Sequence, residues 1–301
     1  MATKLKKRKL KAPFSWYGGK WALAPVIANL LPPHRVYVEV FGGAASVLFA
    51  KEKSFTEIYN DIDKKLVRFF RVLREHPKKL CKKLKWTPHS REEFYVAVDT
   101  MLGRRDNGID DVEFAARFFI AAVQGFGSAV DHRTGWAIAT HETNNAATWI
   151  SSVDSLYEKA KRIRTVSIEN RDFRRIFEIY DSEQTVFYVD PPYVMDTRTE
   201  KKGYSFEMRD RDHRILVDLL LRMTGEAIVS GYDHPIYDRL SRAKGWVKLK
   251  YHHISKASAK KRKGAVRQAR RIEILWLSPG VGRFYRKQVA RGVEFPLEEA
   301  D

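Results

Sequence analysis

Residues 36–63 read VYVEVFGGAASVLFAKEKSFTEIYNDID, and their alternation of textures decides the fold. Val36–Val40 is short and β-rich and runs into Phe41-Gly42-Gly43; Ala44–Lys51 has helical character. Phe55–Asn60 is a second strand, with Asp61 at its C-terminal end, and Lys64 to about Glu75 returns to helix. A βαβα succession of this kind predicts a parallel sheet covered by helices. Upstream, residues 21–31 (WALAPVIANLL) are helical and stop at Pro32-Pro33, preceded by a loop at Pro13–Lys20 (PFSWYGGK). Downstream the texture changes. From about His76 to Lys161, helical stretches at 92–102 and 111–123 are followed by a Gly/polar segment, Gln124–Gly135, and an Asn/Thr-rich run to Thr148. The β-rich pattern then resumes at Arg164–Glu169, Thr185–Val189, Glu226–Ser230, Val247–Tyr251 and Ile272–Leu277. This predicts a discontinuous α/β domain, 13–75 plus 162–301, interrupted by a mostly helical insertion at 76–161 and preceded by a basic tail at 1–12.

Composition excludes several classes. The 301 residues are 44% hydrophobic and include seven Trp, ample for a buried core and unlike a disordered or collagenous chain. A single cysteine, Cys81, excludes an intrachain disulfide and a multi-cysteine zinc cluster. The start MATKLKKRKLK lacks the apolar stretch of a signal peptide, and no uncharged apolar run is long enough to span a bilayer. A soluble, intracellular chain is expected.

The 56 Lys+Arg against 37 Asp+Glu leave a formal charge of +19. Residues 1–12 carry six basic side chains and residues 256–271 carry eight, neither with an acid, so these two runs hold fourteen of the nineteen. Each alone reads as a solvated segment; together they favour a polyanionic partner, and neither has the bulky apolar face that a membrane surface would want.

Asp190-Pro191-Pro192-Tyr193 is the sharpest local feature. It follows the strand Val186–Val189, and ligands of open α/β sheets bind at strand C-termini. Two consecutive prolines fix both φ angles and remove two backbone donors. Asp190 and the Pro191 carbonyl then offer two acceptors to the two hydrogens of a planar exocyclic amine, and Tyr193 offers a flat face. A proline-terminated strand entering a turn is the bland alternative. Glu39-Val40-Phe41-Gly42-Gly43-Ala44 lets a ligand come close to the backbone, although close strand–helix packing explains it equally well. It is neither a dinucleotide fingerprint nor a P-loop. Asp61, with Ile62 beside it, reads either as the acceptor for the hydroxyls of a ribose or as the N-cap of the next helix. Trp16-Tyr17-Gly18-Gly19-Lys20 combines aromatics, a hinge and a cation.

Taken together, from Trp16 to about Leu277, these motifs resemble the Dam-like N6-adenine DNA methyltransferases of the DPPY type. The resemblance implies a Rossmann-like methyltransferase sheet with helices on both faces and a mostly helical inserted DNA-recognition domain. It implies S-adenosylmethionine as cofactor, held by Trp16, Tyr17, Lys20, Glu39, Phe41, Gly43, Asp61, Ile62, Asp172, Phe173 and Asp190. Asp190, Pro191, Pro192 and Tyr193 are the implied catalytic tetrapeptide, with Ser230-Gly231-Tyr232-Asp233 near the target base. Double-stranded DNA is the implied partner, for a bacterial or phage-encoded cytoplasmic enzyme of the restriction–modification kind, monomeric or weakly dimeric. Neither a metal nor a membrane is required.

Under this reading the enzyme flips an adenine onto Tyr193. Asp190 and the Pro191 carbonyl draw the N6 lone pair out of conjugation for direct transfer, so that positioning and electrostatics carry the catalysis. Lys260, Lys261, Arg262, Lys263 and Arg267 are expected to hold the phosphate backbone, with His132, Arg133 and Trp136 of the insertion reading bases. Residues 196–206 form either a lid, with Tyr204 as a wall, or an ordinary surface loop. Arg209–His213 is expected to start a helix, and the pair His252-His253 lies on a strand without an acidic or cysteine cluster. Two rival functions share these motifs. One is methylation of an RNA base, of cytosine N4 or of a protein amide; the other is a nucleic-acid-binding relative that has lost its chemistry.

Overall fold

A computed structural model describes residues 10–105, 108–126, 130, 135–138, 140, 143–197, 206–254 and 270–300. The elements run α1 (Ala24–Leu30), β1 (Val36–Glu39), α2 (Ser46–Ala50), β2 (Thr56–Asn60), α3 (Lys64–Glu75), α4 (Pro77–Lys85), α5 (Arg91–Met101), α6 (Asp111–Gln124), α7 (Asn145–Asp154) and α8 (Leu156–Ile163). They continue with β3 (Val166–Glu169), α9 (Phe173–Tyr180), β4 (Thr185–Val189), α10 (Asp210–Arg222), β5 (Glu226–Gly231), α11 (Asp238–Arg242), β6 (Val247–Ile254), β7 (Arg270–Leu277), α12 (Pro279–Ala290) and β8 (Glu298–Glu299).

The strands form one sheet in the order β3-β2-β1-β4-β5-β7-β6-β8. β3 to β5 are mutually parallel, and β7 enters antiparallel between β5 and β6. Both faces are buried, as the strand sequences require. On β1, Tyr37 joins one core while Val38 joins the other; on β4, Val186 and Tyr188 face the first and Phe187 and Val189 the second. A strand whose five residues are all buried belongs between two helical layers. The second face is covered by α9 and α10 through Phe173, Ile176, Phe177, Leu216 and Leu220. The first is covered by α1, α2 and α3, and the helices between α3 and β3 extend that same core. Phe69 of α3 lies 5.2 Å from Phe118 and 5.9 Å from Phe119 of α6.

Boundaries shift where local geometry intervenes. The helix expected from Ala44 begins at Ser46, because Gly43 (φ 49°) and Ala45 (φ 60°) spend the preceding residues in a left-handed turn. The strand expected from Arg164 begins at Val166, since α8 runs to Ile163. Arg209 caps α10, and Asp212 accepts its backbone N–H at 3.1 Å. Helices α4, α7, α8, α9, α11 and α12 have no counterpart in the sequence reading. Among the described residues, no helix is long and apolar enough to cross a membrane.

Candidate active site

In this sheet the strand order reverses between β1 and β4, and the C-terminal ends of those two strands border a solvent-open cleft. Such a switch point is where open α/β sheets receive ligands. The wall is drawn from four places in the chain: Trp16–Lys20, Glu39 with Phe41–Ala44, Asp61–Asp63, and Asp190 with Pro192. Phe206 also lines it.

The turn after β1 is shaped for close approach. A Cβ on Gly42 would fall 2.1 Å from the Tyr59 ring, so only glycine fits. Tyr59 donates its hydroxyl to the Gly43 carbonyl at 2.8 Å, and the Gly43 N–H donates to Asp61 Oδ2 at 2.8 Å. Asp61 Oδ1 accepts the Asp63 N–H at 2.8 Å, while Asp63, not Asp61, caps α3 by accepting from Lys65. Asp61 is therefore not the N-cap, and its carboxylate lines the cleft. Burial pushes Asp61 up to about 6 against these two backbone hydrogen bonds. Glu39 lies deeper. Its Oε2 accepts from the Tyr37 hydroxyl at 2.9 Å and the Leu48 N–H at 2.8 Å, yet burial pushes it up to about 8.

Around Asp190 the charges are concentrated. Lys20 Nζ lies 2.9 Å from Asp190 Oδ1 and 3.4 Å from Glu273 Oε1 of β7, and donates to the Gly18 carbonyl at 2.7 Å. Ser230, at the end of β5, donates to Asp190 Oδ1 at 2.8 Å and lies 3.0 Å from the Tyr188 hydroxyl. Burial raises Asp190 above the ordinary carboxylate range, and Lys20 opposes the shift. The Lys20 ammonium also sits 4.8 Å from the Tyr193 ring centroid, and Tyr193 meets Tyr232 edge-on at 4.6 Å. The Tyr193 hydroxyl donates to Glu273.

Of the residues expected at a cofactor site, Trp16, Tyr17, Lys20, Glu39, Phe41, Gly43, Asp61, Ile62 and Asp190 line the cleft. Trp16 also stacks on Phe118 of α6 at 5.8 Å, joining the cleft to that helix. Asp172 and Phe173 are not among the lining residues. Asp172 caps α9 through the Arg174 N–H at 2.9 Å and pairs with the Arg174 guanidinium, while Phe173 is buried 5.7 Å from Phe41, behind the wall. Of the tetrapeptide, Asp190 and Pro192 face the cleft and Tyr193 is buried beside it. Trp136 stands at the bridge between Gly125 and Trp136, stacked on His89 at 4.8 Å with Arg91 5.0 Å from its ring. His252 faces Glu298 at 3.0 Å, and Asp233 pairs with Lys248 at 2.8 Å. His132, Arg133, Tyr204, Lys260, Lys261, Arg262, Lys263 and Arg267 lie outside the described residues, as does most of the basic tail. Glu273 had no place in the sequence reading, although a lone carboxylate inside the apolar strand Ile272–Leu277 marks it.

A doubly wound sheet that opens at its reversal point onto a carboxylate-lined cleft has the α/β architecture that receives ligands at its switch point. The family model of the D12 class N6 adenine-specific DNA methyltransferases matches residues 16–250, well over half of the chain, and the chain belongs to that family. It is an adenine-specific DNA methyltransferase, acting on DNA with a methyl donor as second substrate.

Proposed function

We propose that the donor is S-adenosylmethionine, bound in the cleft between β1 and β4, and that an adenine swung out of the duplex presents its 6-amino group to Asp190. The observation that carries this reading is the placement of Asp190. Its carboxylate leaves β4 at the rim of a cleft that Glu39 and Asp61 share. The residues present fit such a donor. Glu39 and Asp61 offer carboxyl groups to the donor's amino-acid end and ribose, the glycine turn admits close contact, and Phe41, Ile62 and Leu66 supply apolar surface for a nucleoside. Asp61 would take the ribose hydroxyls, and Glu39 would face the amino-acid end. Bound there, S-adenosylmethionine supplies an electrophilic methyl group on a sulfonium.

The protein's part is positioning. Asp190 and the Pro191 carbonyl accept the two N–H bonds of the amine, which turns its lone pair out of the ring plane. Pro191 and Pro192 hold that geometry because both φ angles are fixed. Tyr193 provides the face on which a flipped base stacks. The insertion at 76–161 reads the sequence, and the basic segments at 1–12 and 256–271 hold the phosphates, so affinity falls steeply with salt.

Two measurements test this. Calorimetry with S-adenosylmethionine near pH 7, in two buffers of different ionisation enthalpy, is expected to show binding with proton release. A cation beside a carboxyl favours its ionised form, and Glu39, at about 8, is largely protonated before the ligand arrives. No binding, or proton uptake, would sink the reading. Expression in a methylation-deficient bacterial host, followed by single-molecule sequencing, is expected to show N6-methyladenine at one recurrent sequence; an unmodified genome with folded protein present would count against DNA.

A further inference from the structure

We infer that Glu273 is a positioning residue that receives the Lys20 ammonium when the target amine enters. This rests on the reading of Asp190 as the amine's acceptor. As the chain stands, Lys20 occupies two features assigned to the target base, the amine's acceptor and the stacking face: it lies 2.9 Å from Asp190 Oδ1 and 4.8 Å from the centroid of the Tyr193 ring. A cation there stands in for the substrate's N–H donors, so the base cannot be seated until it moves. Its destination must be close and negative, because an ammonium that is only 7% exposed is not displaced into a buried site without a counter-charge.

Glu273 is close, and although burial pushes its carboxyl up to about 7, the Lys20 ammonium favours its ionised form and does so more as it approaches. Its Oε1 is already 3.4 Å from Nζ, and its carboxylate also accepts the Tyr193 hydroxyl. A shift of Nζ toward Glu273 therefore frees Asp190 while the same carboxylate keeps Tyr193 anchored. The Gly18 carbonyl, which accepts from Nζ at 2.7 Å, acts as the pivot. Gly18 itself has a positive φ of 71°, a conformation natural to glycine, so the hinge-like loop that carries Lys20 is built around that turn.

The test is a cycle on Lys20 and Glu273, read as kcat on a duplex containing the recognition sequence. Glu273→Gln keeps an acceptor for Tyr193 but loses the charge. It is expected to lower kcat by about tenfold to a hundredfold, the scale of a misplaced catalytic group, with the S-adenosylmethionine Kd and the Tm unchanged. In a Lys20→Ala background there is no ammonium to relocate, so adding Glu273→Gln is expected to change kcat by less than about twofold. Glu273→Asp keeps the charge and is expected to restore most of the activity, which also serves should the Gln variant fold poorly. Wild-type kcat in Glu273→Gln overturns the inference. So does an equal loss with and without Lys20, which would place the effect in Tyr193 instead. Asp190→Ala separates the two levels: if it stays active, the reading of the site has failed, whereas an inactive Asp190→Ala beside a fully active Glu273→Gln refutes only the role of Glu273.

Discussion

Asp190→Ala is expected to lower kcat for adenine methylation by about a thousandfold while leaving the protein folded and able to bind its donor, the scale seen when one preorganised group at a reacting centre is removed. Two effects are lost together. The amine no longer has the acceptor that orients its lone pair, and the positive charge arriving on N6 no longer has a carboxylate beside it. The fold survives for a reason visible in the geometry. Removing one partner of a buried ion pair ordinarily strands the other charge, but Lys20 retains Glu273 at 3.4 Å and the Gly18 carbonyl at 2.7 Å. Ser230 likewise keeps the Tyr188 hydroxyl at 3.0 Å. Because burial holds Asp190 above its ordinary range, its ionised form is a burden on the folded state, and deleting it removes that burden. Single-turnover methyl transfer and thermal melting, measured side by side, check the two halves. Methyl transfer near the wild-type rate, with the fold intact, would remove Asp190 from the chemistry.

What the sequence made legible follows the range of the interactions involved. β4 was readable to the residue at both ends because Thr185–Val189 is a continuous apolar run closed by two prolines, both local signals. The cleft was readable where its walls are short motifs at strand ends: Glu39 to Gly43, Asp61 with Ile62, and the tetrapeptide. α4 escaped because it buries Leu80 and Leu84 alone among five lysines, too thin a stripe to stand out. α12 escaped for the opposite reason. Gly280 and Gly282 in its first turns lower its helix propensity, yet a Cβ at Gly280 would meet the Glu226 carboxylate at 2.0 Å and one at Gly282 would meet Val247 at 2.7 Å. Packing requires those glycines where propensity argues against them. Glu273 and Lys20 are separated by most of the chain, and only the antiparallel entry of β7 beside β5 brings them together.

The same long-range logic sets the largest expected effect on stability, at Glu57. This β2 residue has a side chain only 2% exposed and holds two cations: Lys51 at 2.5 Å, and Arg162 of α8 through both oxygens at 2.6 and 2.8 Å. Arg162 also donates to the Leu48 carbonyl of α2 at 2.8 Å, so the last helix before β3 is tied to the sheet and to the helix after the glycine turn. Burial acts to raise Glu57, but Arg162 and Lys51 outweigh it and hold the carboxyl below its usual range. A folded-state value below the unfolded one contributes stability above the unfolded pKa, and that contribution is lost as pH falls through the folded value. Glu57→Ala leaves two buried cations facing each other and is expected to cost about 3–5 kcal/mol. For a domain of this size that corresponds to a Tm lower by roughly 10 °C. Replacing all three charges together by apolar residues of similar volume, Lys51→Met, Glu57→Leu and Arg162→Met, should recover most of the loss, because it removes the stranded cations along with the carboxylate. Urea unfolding of the two variants decides it: if the single change costs less than about 1 kcal/mol, or the triple change is the worse of the two, the cluster is not what fastens α8 to the sheet. Where Asp190→Ala should silence a folded enzyme, Glu57→Ala should loosen the frame while every group at the cleft remains in place.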